Sequence, residues 1–249
     1  MVLAPLNSLF DTREMSDYKK FKFKNFEISQ NDLVFKVGTD ALVLGAWIDT
    51  DKAPTQILDV GTGTGVLSLM MAQKYPNAKI LAIDNNSNAT QLAQTNFEQN
   101  EIGRNCRAAT LDFMNSDETS TYELIVSNPP YFLDSFIPKQ TVLGEAKHLK
   151  SSDLILFFQK SVQLLSANGK LNMIFPIDER FETTAEEVGL FPERILHVYG
   201  KPDLLKRKCI QFGFERKEPQ IESLTIRTSS GAYTETYKKL TVDFHGISL

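Results

Sequence analysis

Between residues 56 and 74 the chain reads Gln-Ile-Leu-Asp-Val, then Gly-Thr-Gly-Thr-Gly, then Val-Leu-Ser-Leu-Met-Met-Ala-Gln-Lys. A short apolar run ends in glycines, and a helix-forming segment starts at once. Glycine permits the left-handed backbone angles of a sharp reversal, so strand and helix join with no linker between them. A strand followed so closely by a helix returns the chain for a second strand parallel to the first. The pattern repeats downstream. KILAID (79–84) is read as a strand and SNATQLAQTNFEQN (87–100) as a helix, and CRAATL (106–111) and YELIVSN (122–128) as strands. SDLILFFQKSVQLL (152–165) is a helix, GKLNMIFP (169–176) a strand and DERFETTAEEVG (178–189) an acidic surface helix. Alternation of this kind predicts an α/β fold, a doubly wound and mostly parallel sheet with helices on both faces.

The two ends differ in texture. Residues 18–26, YKKFKFKNF, alternate basic and aromatic side chains at period two, which predicts a short strand with one wet face. Thr39 and Asp40 are placed to cap a helix over the apolar run Ala41 to Ile48. From Phe191 on, strand-like segments such as KCIQFGFER (208–216) and SLTIRT (223–228) predict an antiparallel hairpin at one edge of the sheet. Residues 1–50 are therefore read as an N-terminal extension with a short strand and a capping helix. Residues 51–249 form the main domain, of which 201–249 are basic C-terminal strands. In that last segment nine basic side chains face six acidic ones, against a net charge of −4 for the whole chain. An acidic body with a basic end excludes a protein that coats nucleic acid by bulk charge, and leaves room for a local anionic partner.

The glycine loop calls for a ligand at the carboxyl edge of the sheet, where a helix start offers unpaired N–H groups. The spacing is Gly61-Thr62-Gly63-Thr64-Gly65, shorter than the GxGxxG of dinucleotide sites, and Asp59 stands at its head. Asp84, with Asn85 after it, ends the second strand, where a carboxylate can accept from both hydroxyls of a ribose. Asp112, followed by Phe113, ends the third, where it can accept from an adenine amine while the ring packs on the base. Three carboxylates would repel a pyrophosphate. They suit S-adenosylmethionine, which carries a sulfonium and an ammonium and no phosphate.

The fourth strand ends in Ser127-Asn128-Pro129-Pro130-Tyr131-Phe132. Consecutive prolines fix φ and remove two N–H donors, giving a rigid turn. The side-chain oxygen of Asn128 and the carbonyl of Pro129 can then accept from one planar –NH2 group and turn its lone pair toward a methyl donor. Tyr131 offers a ring face for a flipped base or another flat amide. Such chemistry rests on positioning and electrostatics and requires no covalent nucleophile.

DVGTGTG, AIDNN, LDF and NPPY together resemble the class I methyltransferases that act on exocyclic or amide nitrogens. More narrowly, FKFKNFEISQ, KVGTDALVLGAW, NPPYF and YTETYKKLTVDF resemble the bacterial tRNA(Val) adenine-N6 methyltransferases, over nearly the whole chain from Phe21. That resemblance implies a Rossmann-like domain and methyl transfer from S-adenosylmethionine to the N6 of an adenine at tRNA position 37. It implies cofactor contacts at Lys36, Gly38, Thr39 and Asp40 as well as at the glycine loop, Asp84 and Asp112. It places the target amine at Asn128, Pro129, Pro130 and Tyr131, with Asn128 also bordering the cofactor. Two positions depart from the family: Ala146-Lys147-His148 stands where an Ala-Arg-His type of segment is usual, and Asp243-Phe244-His245 lacks an aromatic after the phenylalanine. Met15 is a candidate start.

Substrate rivals are a protein glutamine, whose amide fits the same clamp, and the N2 of an rRNA guanine. A glutamine methyltransferase of the release-factor type carries a helical domain before its glycine loop, and the segment preceding Asp59 contains strands instead. A DNA adenine methyltransferase needs a target-recognition domain that no segment is long enough to supply. A non-catalytic RNA-binding module retaining the fold is the rival outside enzymes. For RNA contacts the candidates are Lys22 and Lys24 in the N-terminal strand, Lys147, and Lys206, Arg207 and Lys208. The histidines His148, His197 and His245 have no metal-ligand spacing, so no metal is expected. Two distant cysteines, Cys106 and Cys209, and the lack of a signal peptide or an apolar span predict a cytoplasmic protein, read as a monomer, with no membrane contact.

Overall fold

The computed structural model describes residues 19–31, 34, 37–129 and 151–245, leaving aside the side chains of 151 and 152. Lys36, Pro130, Tyr131, Lys147 and His148, and the candidate start Met15, lie outside the described residues.

The main sheet is built from β3 (Gln56–Val60), β4 (Lys79–Asp84), β5 (Cys106–Thr110), β6 (Tyr122–Ser127), β7 (Leu165–Pro176), β8 (Phe191–Tyr199), β9 (Leu205–Gly213) and β10 (Gln220–Thr225). Its order is β10-β8-β9-β7-β6-β3-β4-β5. From β7 to β5 every pairing is parallel. The strands of this half are apolar on both faces, as a sheet covered twice requires. Ile57, Ile80, Leu124 and Val126 join one core cluster, with α1 (Thr39–Trp47), α2 (Val66–Lys74) and α3 (Ser87–Glu98). Leu58, Ile83, Ile125 and Phe175 face the other cluster, under α4 (Ser151–Leu164) and α5 (Arg180–Glu187).

The far end of the sheet carries the expected antiparallel hairpin, β8–β9, with β9 inserted between β7 and β8. The outermost strand is β10, which takes in the start of SLTIRT and pairs parallel to β8 outside the hairpin. Burial explains the order. Residues Cys209 to Gly213 of β9 are buried on both faces, so that strand belongs inside, whereas β10 keeps only Leu224 buried and can face water.

At the N-terminus the period-two segment holds one short strand, β1 (Lys19–Lys22), and a reversal that leads into β2 (Glu27–Gln30), antiparallel to β1 in their own small sheet. All of β1 is exposed. Its expected dry face goes instead to Phe23 and Phe26 at the turn, whose rings stack 4.4 Å apart in the core. Helix α1 begins at Thr39, two residues earlier than expected. Gly38 is its N-cap, without a side-chain hydrogen bond, so Thr39 and Asp40 sit in the first turn rather than capping it. Lys74, at the end of α2, turns its amine onto the carbonyls of Gly45, Ala46 and Ile48, satisfying the C-terminal end of α1. The two helices cross closely at Gly45, where a Cβ would stand 2.6 Å from the Sδ and Cε of the buried Met70. In the tail, α6 (Glu235–Thr241) was not expected. Thr234 caps it, accepting from the Tyr237 N–H at 3.2 Å.

Candidate active site

Adjacent β3 and β6 feed connections that leave in opposite directions, β3 toward β4 and β5, β6 toward β7. That reversal opens a crevice at the carboxyl ends of the strands, the usual ligand position in an open α/β sheet. Asp59, Asp84, Asp112 and Asn128 sit at this edge.

Asp59 precedes the loop and is fully buried. Its Oδ2 accepts from Thr62 Oγ1 and from Ser68 Oγ, both at 2.7 Å. Its Oδ1 has no hydrogen-bond partner. Burial pushes the Asp59 carboxyl up to about 6; the two hydroxyls oppose the rise and Asp84 adds to it. The loop itself uses positive φ at Gly61, Gly63 and Gly65. At Gly63 a Cβ would meet nothing within 4 Å, so the backbone is open on the crevice side, while Gly65 packs against Phe97. Asp84 holds the loop from the next strand: Oδ2 accepts from the Gly63 N–H and Oδ1 from the Asn86 N–H, each at 3.0 Å. An ionised carboxylate has about four acceptor sites, so two remain for a ligand.

Asp112 is exposed beyond β5 and accepts from the Met114 N–H and Asn115 Nδ2. Phe113 turns inward and packs on Phe157 of α4, ring centroids 5.0 Å apart. Asn85 is exposed after Asp84. Asn128 leaves β6 half-buried, and its Oδ1 is a second buried oxygen without a partner. Ser127 before it anchors the strand end, donating from Oγ to the Val60 carbonyl at 2.8 Å.

The structure also supplies residues that the motifs do not name. Ser68, one turn into α2, shares Asp59 with Thr62. The fully buried Asn96 of α3 donates to the carbonyls of Thr64 and Ser29 and accepts from the Ser29 N–H, tying the glycine loop to β2. Both are polar residues on otherwise apolar helix faces, and that pattern is their only signal in the sequence.

The start of α1 lies against the reversed half of the sheet, at β9. Gly38 and Thr39 are exposed, and Asp40 accepts from Arg207 Nε at 2.9 Å. Lys208 pairs with Glu182 at 2.5 Å, and Lys206 between strand and turn is exposed. Lys22 and Lys24 lie on the β1–β2 hairpin, Lys22 3.9 Å from Glu27 and Lys24 donating to the Val242 carbonyl. Among the described residues no cluster of His, Cys, Asp and Glu could hold a metal ion, and no helix is long and apolar enough to cross a membrane.

Comparison with known proteins bears on this edge. The family model of the methyltransferase small domain matches residues 35–188, which contain all four strand ends just described. The chain is 36% identical over 233 residues to the tRNA1(Val) (adenine(37)-N6)-methyltransferase of Christiangramia forsetii, covering 90% of this chain and 97% of the relative. The chain belongs to this family. The enzyme of the same description from Trichodesmium erythraeum is 35% identical, over 91% of this chain and 97% of the relative, so the kinship is not confined to one bacterial group. Solved structures agree on the methyltransferase fold. Protein Atu636 from Agrobacterium tumefaciens, an O-methyltransferase by prediction, matches with TM-score 0.64 at 12% identity, over 84% of this chain and 99% of that one. A ribosomal protein L11 methylase from Lactobacillus delbrueckii matches with TM-score 0.52 at 18% identity, over 74% and 82%.

Proposed function

We propose that the protein is a cytoplasmic, monomeric enzyme that methylates the N6 of adenine 37 in tRNA1(Val), with S-adenosylmethionine as donor. The observation that carries the reading is the pair of buried, unpartnered oxygens, Asp59 Oδ1 and Asn128 Oδ1, at the two strand ends that flank the crevice. A buried polar atom left unpaired costs about 1–3 kcal/mol, so each suits a donor group brought by a ligand. The residues present fit the cofactor: Asp59 would take its ammonium, Asp84 has acceptor sites for ribose hydroxyls, and Gly63 lets the backbone approach. Gly61, Thr62 and Gly65 shape that loop, Asp112 with Phe113 behind it would hold the adenine, and Gly38, Thr39 and Asp40 would contact the cofactor from the start of α1. When bound, S-adenosylmethionine supplies an electrophilic methyl group.

On the substrate side Asn128 Oδ1 and the Pro129 carbonyl would accept from the two protons of an exocyclic amine. Both are neutral acceptors. They orient the nitrogen lone pair without removing a proton beforehand, and their contribution is positioning. An adenine amine, a glutamine amide and a guanine amine all satisfy that clamp; the kinship with adenine-N6 enzymes favours the first.

The test is methyl transfer from labelled S-adenosylmethionine to total tRNA from a strain lacking the gene, with nucleosides resolved by mass spectrometry. N6-methyladenosine should form, and Asn128→Ala should abolish it, with calorimetry of the variant separating loss of the amine clamp from loss of cofactor binding. Label in protein or in rRNA instead would move the substrate to a rival. A cellular role that survives Asn128→Ala without methylation would mean that the protein acts by binding RNA.

A further inference from the structure

The basic run Lys206-Arg207-Lys208 enters the sheet at its carboxyl edge, on a strand separated from β6 by β7 alone. Two strand spacings are about 10 Å, so the run lies within reach of nucleotides flanking an adenine held at Asn128. Successive side chains of a strand point to opposite faces, and here the pleat sends neighbours to different partners. Arg207 goes to the α1 face, where Nε donates to Asp40 Oδ2 at 2.9 Å and one terminal nitrogen donates to the Lys206 carbonyl at 2.9 Å. Lys208 goes to the α5 face and is mostly buried against Glu182. Lys206 stands at the open end of the strand, exposed, with no acidic partner among the described residues. Lys201, at the other side of the β8–β9 turn, is exposed in the same way. Between them the turn presents Leu204, 44% exposed, on the edge where Ile177 also emerges from β7.

We propose that this run has two separate tasks: Arg207 is a positioning residue that holds the first turn of α1 against β9, whereas Lys206, with Lys201, contacts the phosphate backbone of the RNA. The proposal rests on the reading of tRNA as substrate for the second task only. The charge of the Arg207 guanidinium is met by Asp40 and its plane is fixed by that pair and by its own backbone, and the ammonium of Lys208 is withdrawn from the surface. The Arg207–Asp40 pair joins residues 167 positions apart. It fastens the segment expected to contact the cofactor onto the sheet, so its loss is felt in cofactor binding and not in RNA binding.

The experiment compares Lys206→Gln, Arg207→Gln, Asp40→Asn and the double variant of the last two in the full chain. Cofactor affinity is measured by calorimetry, and tRNA affinity by titration over a range of salt. Removing a phosphate contact should lower the slope of log affinity against log salt by about 0.7 to 0.9, the result expected for Lys206→Gln, with cofactor affinity unchanged. Arg207→Gln should leave that slope alone and weaken the cofactor about three- to fivefold, as for a half-exposed ion pair. Asp40→Asn should do the same, and the double variant should be no weaker than either single one. A slope reduced by Arg207→Gln as much as by Lys206→Gln, or additive effects of Arg207→Gln and Asp40→Asn, would overturn the proposal. Wild-type protein that binds the cofactor and no tRNA would remove both the substrate reading and the role of Lys206, while the Asp40–Arg207 cycle would still judge the strut.

Discussion

Asp59 gives a prediction whose size follows from its surroundings. The side chain is fully buried, takes two hydroxyl donors on one oxygen and has no cation beside it. Burial lifts its folded pKa from 3.8 to about 6. A carboxyl whose folded value lies above its unfolded one stabilises the fold fully below the lower pKa, and that stability is lost as pH rises through the higher. Worked through the linkage relation, the cofactor-free protein loses about 3 kcal/mol from this one group, about 2 of it between about pH 4.5 and 7.5. Asp59→Asn removes the titration and keeps an acceptor for Thr62 and Ser68. Its new amide leaves a buried donor unpaired, which offsets part of the gain by about 1–3 kcal/mol at every pH. The diagnostic is therefore the pH dependence. Urea unfolding of cofactor-free wild type and variant at both ends of that range should show the difference between them shifting by about 2 kcal/mol, in the variant's favour at the higher pH. Parallel pH profiles would refute the reasoning. A cofactor ammonium next to Asp59 must displace the same proton, so wild-type cofactor affinity should fall below about pH 6, by at most about tenfold per pH unit.

Other perturbations address the frame of the site. Gly65→Ala meets both a positive φ and a Cβ 2.6 Å from the Phe97 ring, so a thermal or urea melt should show a loss of about 2–4 kcal/mol. Asn96→Ala orphans the backbone groups of Ser29 and Thr64, which should cost about 2–4 kcal/mol in the same assay and weaken the cofactor by loosening the loop. Burial raises both thiols, Cys106 to about 12 and Cys209 also upward, so a thiol reagent should label neither in native protein and both in strong denaturant. Labelling of the native protein at either cysteine would contradict the buried positions given to them.

The parallel half of the sheet was legible because each strand there is short, mostly apolar and bounded by turn residues, and most of the turns carry a glycine or acidic marker. QILDV, KILAID, CRAATL and YELIVS fall where their patterns place them, and Asp59, Asp84, Asp112 and Asn128 follow as the residues that end them. The reversed half was less legible. Sequence neighbours in a hairpin need not be spatial neighbours at the sheet edge, and only the two-faced burial of Cys209 to Gly213 assigns β9 to the interior. Lys206, Arg207 and Lys208 look alike in one dimension. Their partners Asp40 and Glu182 come from distant elements, which charge counting along the chain does not bring together. Asn96 was hidden for the same reason, since its three bonds reach backbone atoms on other segments.

The crossing of α1 and α2 at Gly45 and Met70 has an evolutionary consequence. Residue 45 has no side chain because the thioether of residue 70 fills its place, and Leu67 closes the third side at 3.3 Å. The obstacle is the far end of a flexible side chain, so a bulkier residue at 45 requires Met70 to turn aside or to shorten. Among descendants of this sequence, larger residues at 45 should be enriched beside a changed residue 70, leaving a covarying pair with no chemistry of its own.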